Sequence, residues 1–374
     1  MGHISWKNRL ILNTVRAFSH LKSSKSQKPE RILVISTTAL GDTLWATPAL
    51  SSLKKTFPST YLAVLTSPIG RDLLQHNPDV DELFLLKEPL LPRFFPLLTQ
   101  LERKQFDAAL IFHASQRLVL PLCALSSIPR IIGTSGINKG LDELLTDASP
   151  PCYEHEIERR FRLVETLGAK RDSPELSYFL QPHERLNLPK PHPLVAFHPG
   201  SKEAFRRWPP SHFAMVGRAL QERFGCDIYL TGSPSERPVL EEIKRLLPSL
   251  QIKDNFSSVR HLAAFLNEMD LLLSNDTGPF HLACALRRPV VGIYVSTDPN
   301  LCGPYLAKNA SVLSRRRTCT PCVKRSCLDP FCFLQIGVKE AIDLCSEKLN
   351  LSRPGRSSGR TIDLDNIPRL QLKM

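Results

Sequence analysis

Short apolar segments alternate with amphipathic helical patterns through most of this 374-residue chain. Arg31–Ser36 (RILVIS) is the first such segment, and its unbroken aliphatic run indicates a strand buried on both faces. A helical pattern follows over residues 44–53, and the same order of strand and helix recurs along the chain. This alternation predicts right-handed β–α–β units and mostly parallel sheets, which together define a doubly wound α/β fold.

A proline-rich segment over residues 181–193 divides this pattern into two halves. Strand and helix signals stop there and start again at residue 194. A chain of this length is long enough for two domains, each with its own core. We therefore predict an N-terminal domain over residues 30–185 and a C-terminal domain over residues 186–350, facing each other across a cleft. Ligands should bind at the carboxyl ends of the strands.

The clearest signals define individual elements. The predicted strands are residues 31–36, 61–66, 82–86, 108–112, 130–133, 194–198, 227–231, 271–274 and 290–294. The clearest helices are residues 44–53, 154–167, 211–223, 235–247 and 259–267.

The most informative stretch is residues 271–286, LLLSNDTGPFHLACAL, in which an apolar strand leads directly into a helix. Pro279 suits the first helical position, so that Thr277 or Gly278 is the cap. Backbone N–H groups and the positive end of the helix dipole then face the turn, which suits a phosphate or diphosphate. The alternative is a purely structural turn. Two side chains flank the turn and suit a sugar hydroxyl and a phosphate oxygen, respectively: Asp276 and His281.

A basic loop over residues 198–209 is the second candidate region. Gly200 allows close backbone approach and Ser201 adds a hydroxyl, and the loop also carries three cationic side chains, at Lys202, Arg206 and Arg207. These are the groups that a diphosphate ligand needs. The alternative is a solvated basic loop in which Trp208 is only a packing anchor.

Two acidic residues follow other predicted strands. Asp42 lies in the loop after the first strand, beside Gly41, where a carboxylate serves either as a general base or as a helix cap. Glu236 follows the second strand of the second half. It suits either a ribose hydroxyl or the N-terminal end of a helix dipole.

The chain carries 49 Lys and Arg against 36 Asp and Glu, a net charge of +13, which indicates a polyanionic partner. Aromatic residues make up only 7%, and no nucleic-acid-binding module is recognisable, so we do not expect a nucleic acid. Residues 1–29 form a basic arm with apolar residues at helical spacing, which suits either an anionic membrane surface or the surface of the protein itself. No apolar run is long enough to cross a membrane. Residues 351–374 are expected to be a basic flexible tail.

Four motifs occur in a characteristic order: ALGDTLWATPAL, HPGS with RRWP, LTGSPSE, and SNDTGPFHLACAL. In this order and at this separation they resemble glycosyltransferase family 9, which includes the ADP-heptose:lipopolysaccharide heptosyltransferases. The resemblance covers roughly residues 31–349. It implies a GT-B fold of two Rossmann-like domains, with the acceptor on the N-terminal domain and the nucleotide-sugar on the C-terminal one.

The resemblance also implies an inverting, metal-independent transfer of heptose from ADP-heptose to a lipopolysaccharide inner core of the lipid A–Kdo type. Asp42 would then be the general base. The donor contacts would be Ser201, Arg206, Asp276, Thr277, Gly278 and His281, with Glu236 on the ribose. Arg206 stands where the heptosyltransferases have a lysine, which leaves the donor open. Possible contacts to acceptor phosphates are Arg117, Arg130 and Lys139.

Such an enzyme would be cytoplasmic and peripheral on the inner face of a bacterial inner membrane. Its partners would be the nucleotide-sugar, the anionic lipopolysaccharide precursor and the anionic membrane surface. Two alternatives remain: a family 9-like transferase with another nucleotide-sugar, and a non-catalytic nucleotide-binding or metal-binding regulatory protein.

A cluster of four cysteines lies in a basic loop, at Cys319, Cys322, Cys327 and Cys332. Four thiols at this spacing suit a structural zinc ion or an iron–sulfur cluster, although reduced thiols without a ligand are the default expectation. Transfer itself is expected to require no cofactor.

Overall fold

Two six-stranded parallel sheets form the framework of the computed structural model, which describes residues 5–18, 29–295, 297–315 and 335–352. The first sheet has the order β3-β2-β1-β4-β5-β6 and the second β12-β11-β10-β7-β8-β9. This order confirms the predicted doubly wound α/β class. The first sheet contains β1 (Arg31–Ser36), β2 (Tyr61–Thr66), β3 (Glu82–Leu85), β4 (Ala108–His113), β5 (Arg130–Thr134) and β6 (Asp147–Ser149). The second contains β7 (Leu194–His198), β8 (Asp227–Thr231), β9 (Gln251–Lys253), β10 (Leu271–Asn275), β11 (Val290–Tyr294) and β12 (Ala310–Ser314).

Helices cover the faces of the sheets. Those associated with the first half are α1 (Trp6–Phe18), α2 (Leu40–Leu44), α3 (Thr47–Thr56), α4 (Pro68–Leu74), α5 (Phe94–Lys104), α6 (Val119–Leu125) and α7 (Glu156–Glu165). Those of the second half are α8 (Pro210–Phe224), α9 (Arg237–Leu246), α10 (Val259–Asn267), α11 (Gly278–Ala285), α12 (Pro299–Cys302) and α13 (Val338–Ser352).

Strand β1 shows why the apolar runs are unbroken. Ile32 and Val34 belong to one core cluster, while Leu33 and Ile35 belong to a second cluster on the other face of the sheet. All four side chains are fully buried. Because both faces are covered by helices, the four interior positions of the strand are apolar.

The predicted single helix over residues 44–53 is wrong, because the structure has two helices there, α2 and α3. Pro48 is the physical reason, since it has no N–H to donate to the carbonyl of Leu44. The Thr47 hydroxyl donates to that carbonyl instead, at 2.8 Å. The chain therefore turns between the two helices, and α2 points toward the second sheet.

The N-terminal helix α1 packs on the first half of the chain through Leu12 and Val15, which are 4% and 2% exposed. Its other face carries Trp6 and Leu10, which are 72% and 61% exposed. Within the described part of the basic arm, α1 thus lies on the protein's own surface and still presents apolar side chains outward. Among the described helices, none combines the length and the apolar character needed to span a bilayer.

Candidate functional site

Helix α2, which carries Asp42, lies directly against the start of α11. A Cβ atom placed on Gly278 would lie 3.0 Å from the Cβ of Leu40, and one on Gly41 would lie 3.1 Å from Cδ2 of His281. The Trp45 ring packs edge-on against His281, with 4.8 Å between centroids. Glycine at these two positions allows the close approach. The carboxyl ends of β1 and β10 therefore face the same cleft.

Asp42 lies in the first turn of α2, so its predicted placement in a loop is wrong. The helical structure begins at Leu40, about one turn before the predicted start at residue 44. Its side chain is half-buried. The N-cap residue of α2 is Ala39 and that of α3 is Ala46, so Asp42 caps neither helix. The carboxylate is thus left available to a ligand in the cleft.

A buried ion-pair network contacts the backbone of Asp42. The guanidinium of Arg160 has no exposed surface, and its Nη2 donates to the backbone carbonyl of Asp42 at 3.2 Å. Its Nη1 donates to the Glu156 carboxylate at 2.6 Å. Arg159 donates to the same carboxylate and to the carbonyl of Phe112, both at 2.7 Å. Burial would raise the pKa of Glu156, but the two guanidinium groups lower it to about 2.

His113 ends β4, the strand next to β1 at the point where the strand order reverses. Burial lowers the pKa of His113, although the charge of Asp42 acts in the opposite direction, so the imidazole is neutral at pH 7. Its carbonyl accepts from Thr37 N at 3.2 Å, and the Thr37 hydroxyl accepts from Ser115 N at 2.9 Å. The loops after β1 and β4 are therefore one hydrogen-bonded unit at the position where such folds bind ligands.

In the second sheet, Asn275 joins the end of β10 to the basic loop after β7. Its side chain is fully buried, donates to Pro199 O at 2.7 Å and accepts from Trp208 N at 3.2 Å. Trp208 is also fully buried, which agrees with its interpretation as a packing anchor. Asn275 thus fixes the basic loop beside the start of α11.

The two arginines of this loop differ in their surroundings. Arg207 donates twice to the carbonyl of Ser201, at 3.0 and 2.7 Å, so it holds the loop in shape. Arg206 pairs with Glu203 at 3.4 Å, and its charge acts on Asp276. Lys202 is exposed, whereas Ser201 is 3% exposed. Arg206 is therefore the cation of this loop whose charge acts on Asp276.

The turn itself brings Asp276 and His281 together, with 3.8 Å between Oδ1 and Nε2. The Thr297 hydroxyl donates to the other carboxylate oxygen. Burial would raise the pKa of Asp276, but His281 and the Thr297 hydroxyl hold it below its ordinary value. Asp276 is therefore an anion at neutral pH. Thr277 is the N-cap of α11, and Gly278 rather than Pro279 is its first residue.

The sequence left two roles open for Glu236, and the structure places it at the N-terminal end of a helix. Its Oε2 accepts from the backbone N and the hydroxyl of Ser233, at 2.7 and 2.8 Å, in a capping box. The carboxylate also lies against Gly200, because a Cβ atom there would be 2.1 Å from Oε1. Gly200 thus lets the loop after β8 close onto the basic loop, and Glu236 lines the same cleft edge.

The three candidate acceptor contacts fall in two places. Arg117 and Lys139 are exposed and follow β4 and β5, at the same sheet edge as Asp42. Arg130 lies at the start of β5, at the opposite edge, where it pairs with Asp147 at 3.1 Å. We therefore retain only Arg117 and Lys139 in the proposals below.

The predicted metal site at Cys319, Cys322, Cys327 and Cys332 lies outside the described residues. Within the ranges that the structure does describe, no three His, Cys, Asp or Glu side chains come together as metal ligands would.

Two doubly wound domains with this cleft between them define the GT-B fold. The chain belongs to glycosyltransferase family 9 (heptosyltransferase), whose family model matches residues 95–331, more than half of the chain. It is therefore a glycosyltransferase enzyme, as the four sequence motifs predicted.

Known proteins of similar sequence and structure agree with this assignment. The lipooligosaccharide heptosyltransferase 2 of Campylobacter jejuni is 22% identical over 305 residues, covering 79% of this chain and 92% of that protein. A family 9 glycosyltransferase from Veillonella parvula superposes with a TM-score of 0.73 at 21% identity, over 89% of this chain and 100% of that one. The ADP-heptose LPS heptosyltransferase II of E. coli superposes with a TM-score of 0.68 at 20% identity, over 85% and 99%.

Proposed function

We propose that this enzyme transfers a heptose from ADP-heptose to the inner core of a lipid A–Kdo type lipopolysaccharide precursor, with inversion and without a metal ion. The observation that carries the proposal is the contact between α2, which bears Asp42, and the start of α11, which bears Asp276 and His281. Relatives named as lipooligosaccharide and lipopolysaccharide heptosyltransferases support this substrate class.

The proposed mechanism follows from where charge develops during the reaction. As the acceptor hydroxyl attacks the anomeric carbon, its proton passes to the Asp42 carboxylate. The bond from that carbon to the diphosphate breaks on the opposite face, so the configuration inverts. Negative charge develops on the departing nucleoside diphosphate, where Arg206, the backbone N–H groups at the start of α11 and the helix dipole stabilise it. Each positioned donor of this kind contributes about 3 kcal/mol.

The other residues assigned to the nucleotide-sugar bind it and take no part in the proton transfer. Asp276, held as an anion, accepts from sugar hydroxyls, and His281 donates to a phosphate oxygen. Ser201 lines the diphosphate, and Glu236 accepts from the ribose hydroxyls beside Gly200. In this arrangement the C-terminal half binds the donor and the N-terminal half presents the base.

Calorimetric titration with ADP, UDP, GDP and CMP, with and without EDTA, tests the donor directly. We expect selective ADP binding that EDTA does not change. Preference for UDP or GDP would keep the fold and the base but rule out ADP-heptose. Binding of none of the four would favour the regulatory alternative.

Asp276→Asn should weaken ADP-heptose binding about tenfold or more, because hydrogen bonds to a charged group are worth more than neutral ones. Affinity for ADP itself should fall less, since Asp276 is assigned to the sugar. Titration of both ligands measures this difference. The matched control is Asp343→Asn on the exposed face of α13, which should change neither affinity. Unchanged ADP-heptose affinity in Asp276→Asn would remove this residue from the donor site.

We also propose that the outer face of α1 binds the anionic inner face of a bacterial inner membrane. Trp6 and Leu10 are one helical turn apart and largely exposed, with Lys7 Nζ 5.7 Å from the centre of the Trp6 ring. Arg9 is exposed beside them. Apolar side chains flanked by cations are what an interfacial helix presents to anionic lipid.

The double substitution Trp6→Ser, Leu10→Ser should therefore lower binding to vesicles of anionic phospholipid about tenfold, the effect of withdrawing two apolar side chains from the interface. Vesicle co-sedimentation at low and high salt provides the measurement, and binding of the unchanged protein should weaken as salt rises. Leu306→Ser, at a residue that is 70% exposed in the other half, is the matched control. Equal binding by all three proteins would leave α1 without this role.

A further inference from the structure

Asn8 connects helix α1 to two loops that are far away in the sequence. Its Nδ2 donates to the carbonyls of Lys139 and Gly140, at 3.0 and 3.1 Å. Its Oδ1 accepts from Nη1 of Arg117. The side chain is only 5% exposed, although α1 lies on the protein surface. Asn8 therefore holds the loop after β4 and the loop after β5 at the same time.

Both loops lie at the sheet edge that carries Asp42. β4 is the neighbour of β1, and β5 is the neighbour of β4. With strands about 5 Å apart, the loop after β4 lies next to the loop after β1, and the loop after β5 one strand spacing further away. The hydrogen bond from Ser115 N to the Thr37 hydroxyl joins the first two directly. Asn8 is thus linked through one loop to the segment that leads into α2.

The backbone after β5 is shaped to receive Asn8. Lys139 has φ 56° and Gly140 has φ 76°, so two consecutive residues adopt the left-handed conformation. A lysine rarely takes this conformation unless its surroundings hold it there. A Cβ atom on Gly140 would lie 2.6 Å from Nδ2 of Asn8. The amide of Asn8 therefore fills the space that the missing side chain leaves, and its hydrogen bonds hold the backbone of Lys139 and Gly140.

Exposed cations lie around the contact between Asn8 and the two loops. They are Arg117 and Lys139, one from each of the two loops. The acidic residues nearby are engaged within the chain. Asp142 accepts from Asn138 at 2.6 Å and from the backbone of Gly136 at 3.0 Å, while Glu143 pairs with Arg16. With Glu143 balanced by Arg16, the two loops carry two cations against the one carboxylate of Asp142, so this rim has a net positive charge.

We propose that Asn8 is a positioning residue for the acceptor, and that α1 is part of the acceptor site. By holding the two loops together, Asn8 orients Arg117 and Lys139 toward phosphate groups of the acceptor that is bound beside Asp42. This inference rests on the proposed transfer to an anionic acceptor. It gives α1 a second role, independent of lipid binding, because its inner face orders the site while its outer face remains exposed.

The test is steady-state transfer from ADP-heptose to a water-soluble acceptor, the deacylated lipid A–Kdo oligosaccharide, with and without its phosphates. No membrane is present, so lipid binding does not contribute. For Asn8→Ala, KM for the phosphorylated acceptor should rise about tenfold, the effect of losing one or two orienting hydrogen bonds. The donor KM and kcat should stay within about twofold, because neither the donor side nor the base is touched. With the dephosphorylated acceptor, the variant and the unchanged protein should be nearly alike.

Two further variants separate positioning from folding. Gly140→Ala pushes a methyl group into the Asn8 amide and strains the left-handed backbone at the same contact without changing α1 in sequence, so it should reproduce the rise in acceptor KM. Asn13→Ala, on the exposed side of the same helix, should change nothing. Hydrogen exchange should quicken over residues 136–141 in the first two variants and not in the third. An unchanged acceptor KM in Asn8→Ala would overturn the inference while leaving the proposed function in place. Absence of transfer by the unchanged protein would overturn the proposed function itself.

Discussion

Asp42→Asn should lower kcat for heptosyl transfer by about a thousandfold, within the range that a general base contributes. Asparagine keeps the size and hydrogen-bonding reach of the side chain but does not take up the acceptor proton. Donor affinity should stay within about twofold, because Asp42 lies on the acceptor side of the cleft. Product formation under saturating substrates gives the first quantity, and titration with ADP-heptose gives the second.

A surface aspartate provides the matched control. Asp172→Asn removes an ion pair with Lys55, whose side chain is 63% exposed, and should leave transfer unchanged. A loss of donor affinity and of thermal stability together with kcat in Asp42→Asn would show a structural role for Asp42. Full retention of kcat would assign the base to another residue.

The sequence predicted the central strands better than the outer ones, and the physical cause is burial. β1, β2, β7, β8 and β11 have the predicted bounds, and the central strands β4 and β10 differ from theirs by one residue, because these strands are mainly apolar and largely covered on both faces. Three strands were missed: β6, β9 and β12, with three, three and five residues. Each of these lies at an edge of its sheet, where one side of the strand is open and polar residues are tolerated. Their apolar pattern is correspondingly weak.

The residues of the candidate site were likewise predicted only in part. The sequence pointed to Asp42, Asp276 and His281 as candidates because they follow strands, and parallel strands bring their carboxyl ends to one edge. Asn275, Thr297 and His113 were missed, since their partners lie in distant segments. The break between α2 and α3 was also missed, although Pro48 is a visible signal for it.

Glu156 and Arg160 are the most instructive omission. Their spacing of four residues on a predicted helix is the pattern of an ordinary exposed ion pair. In the structure Arg160 is fully buried and bonded to the backbone of Asp42. Sequence spacing indicates that two side chains meet, but only the structure shows that Arg160 reaches from α7 to the backbone of α2.

Glu156→Gln should therefore destabilise the fold far more than a typical helix ion pair would. The substitution leaves the buried charges of Arg159 and Arg160 without their carboxylate. Removing one partner of a buried pair costs about 3 to 5 kcal/mol, and we expect about 2 kcal/mol here because the Glu156 side chain keeps 31% of its surface in solvent. Urea unfolding at pH 7 measures the loss. Glu165→Gln on the same helix is the control, since its pair with Arg171 is 39% and 44% exposed and should contribute under about 1 kcal/mol.

The same substitution should flatten the acid dependence of stability. The folded-state pKa of Glu156 is about 2, below its ordinary value of 4.5. A depressed carboxyl pKa stabilises the fold fully above about pH 4.5, and that contribution is lost as the pH falls toward 2. The unchanged protein should thus lose more unfolding free energy between pH 6 and pH 3 than Glu156→Gln, whose side chain does not titrate. If both proteins lost the same unfolding free energy over this pH range, the two arginines would not be lowering the pKa of Glu156. The support assigned to Asp42 would then have to come from elsewhere in the cleft.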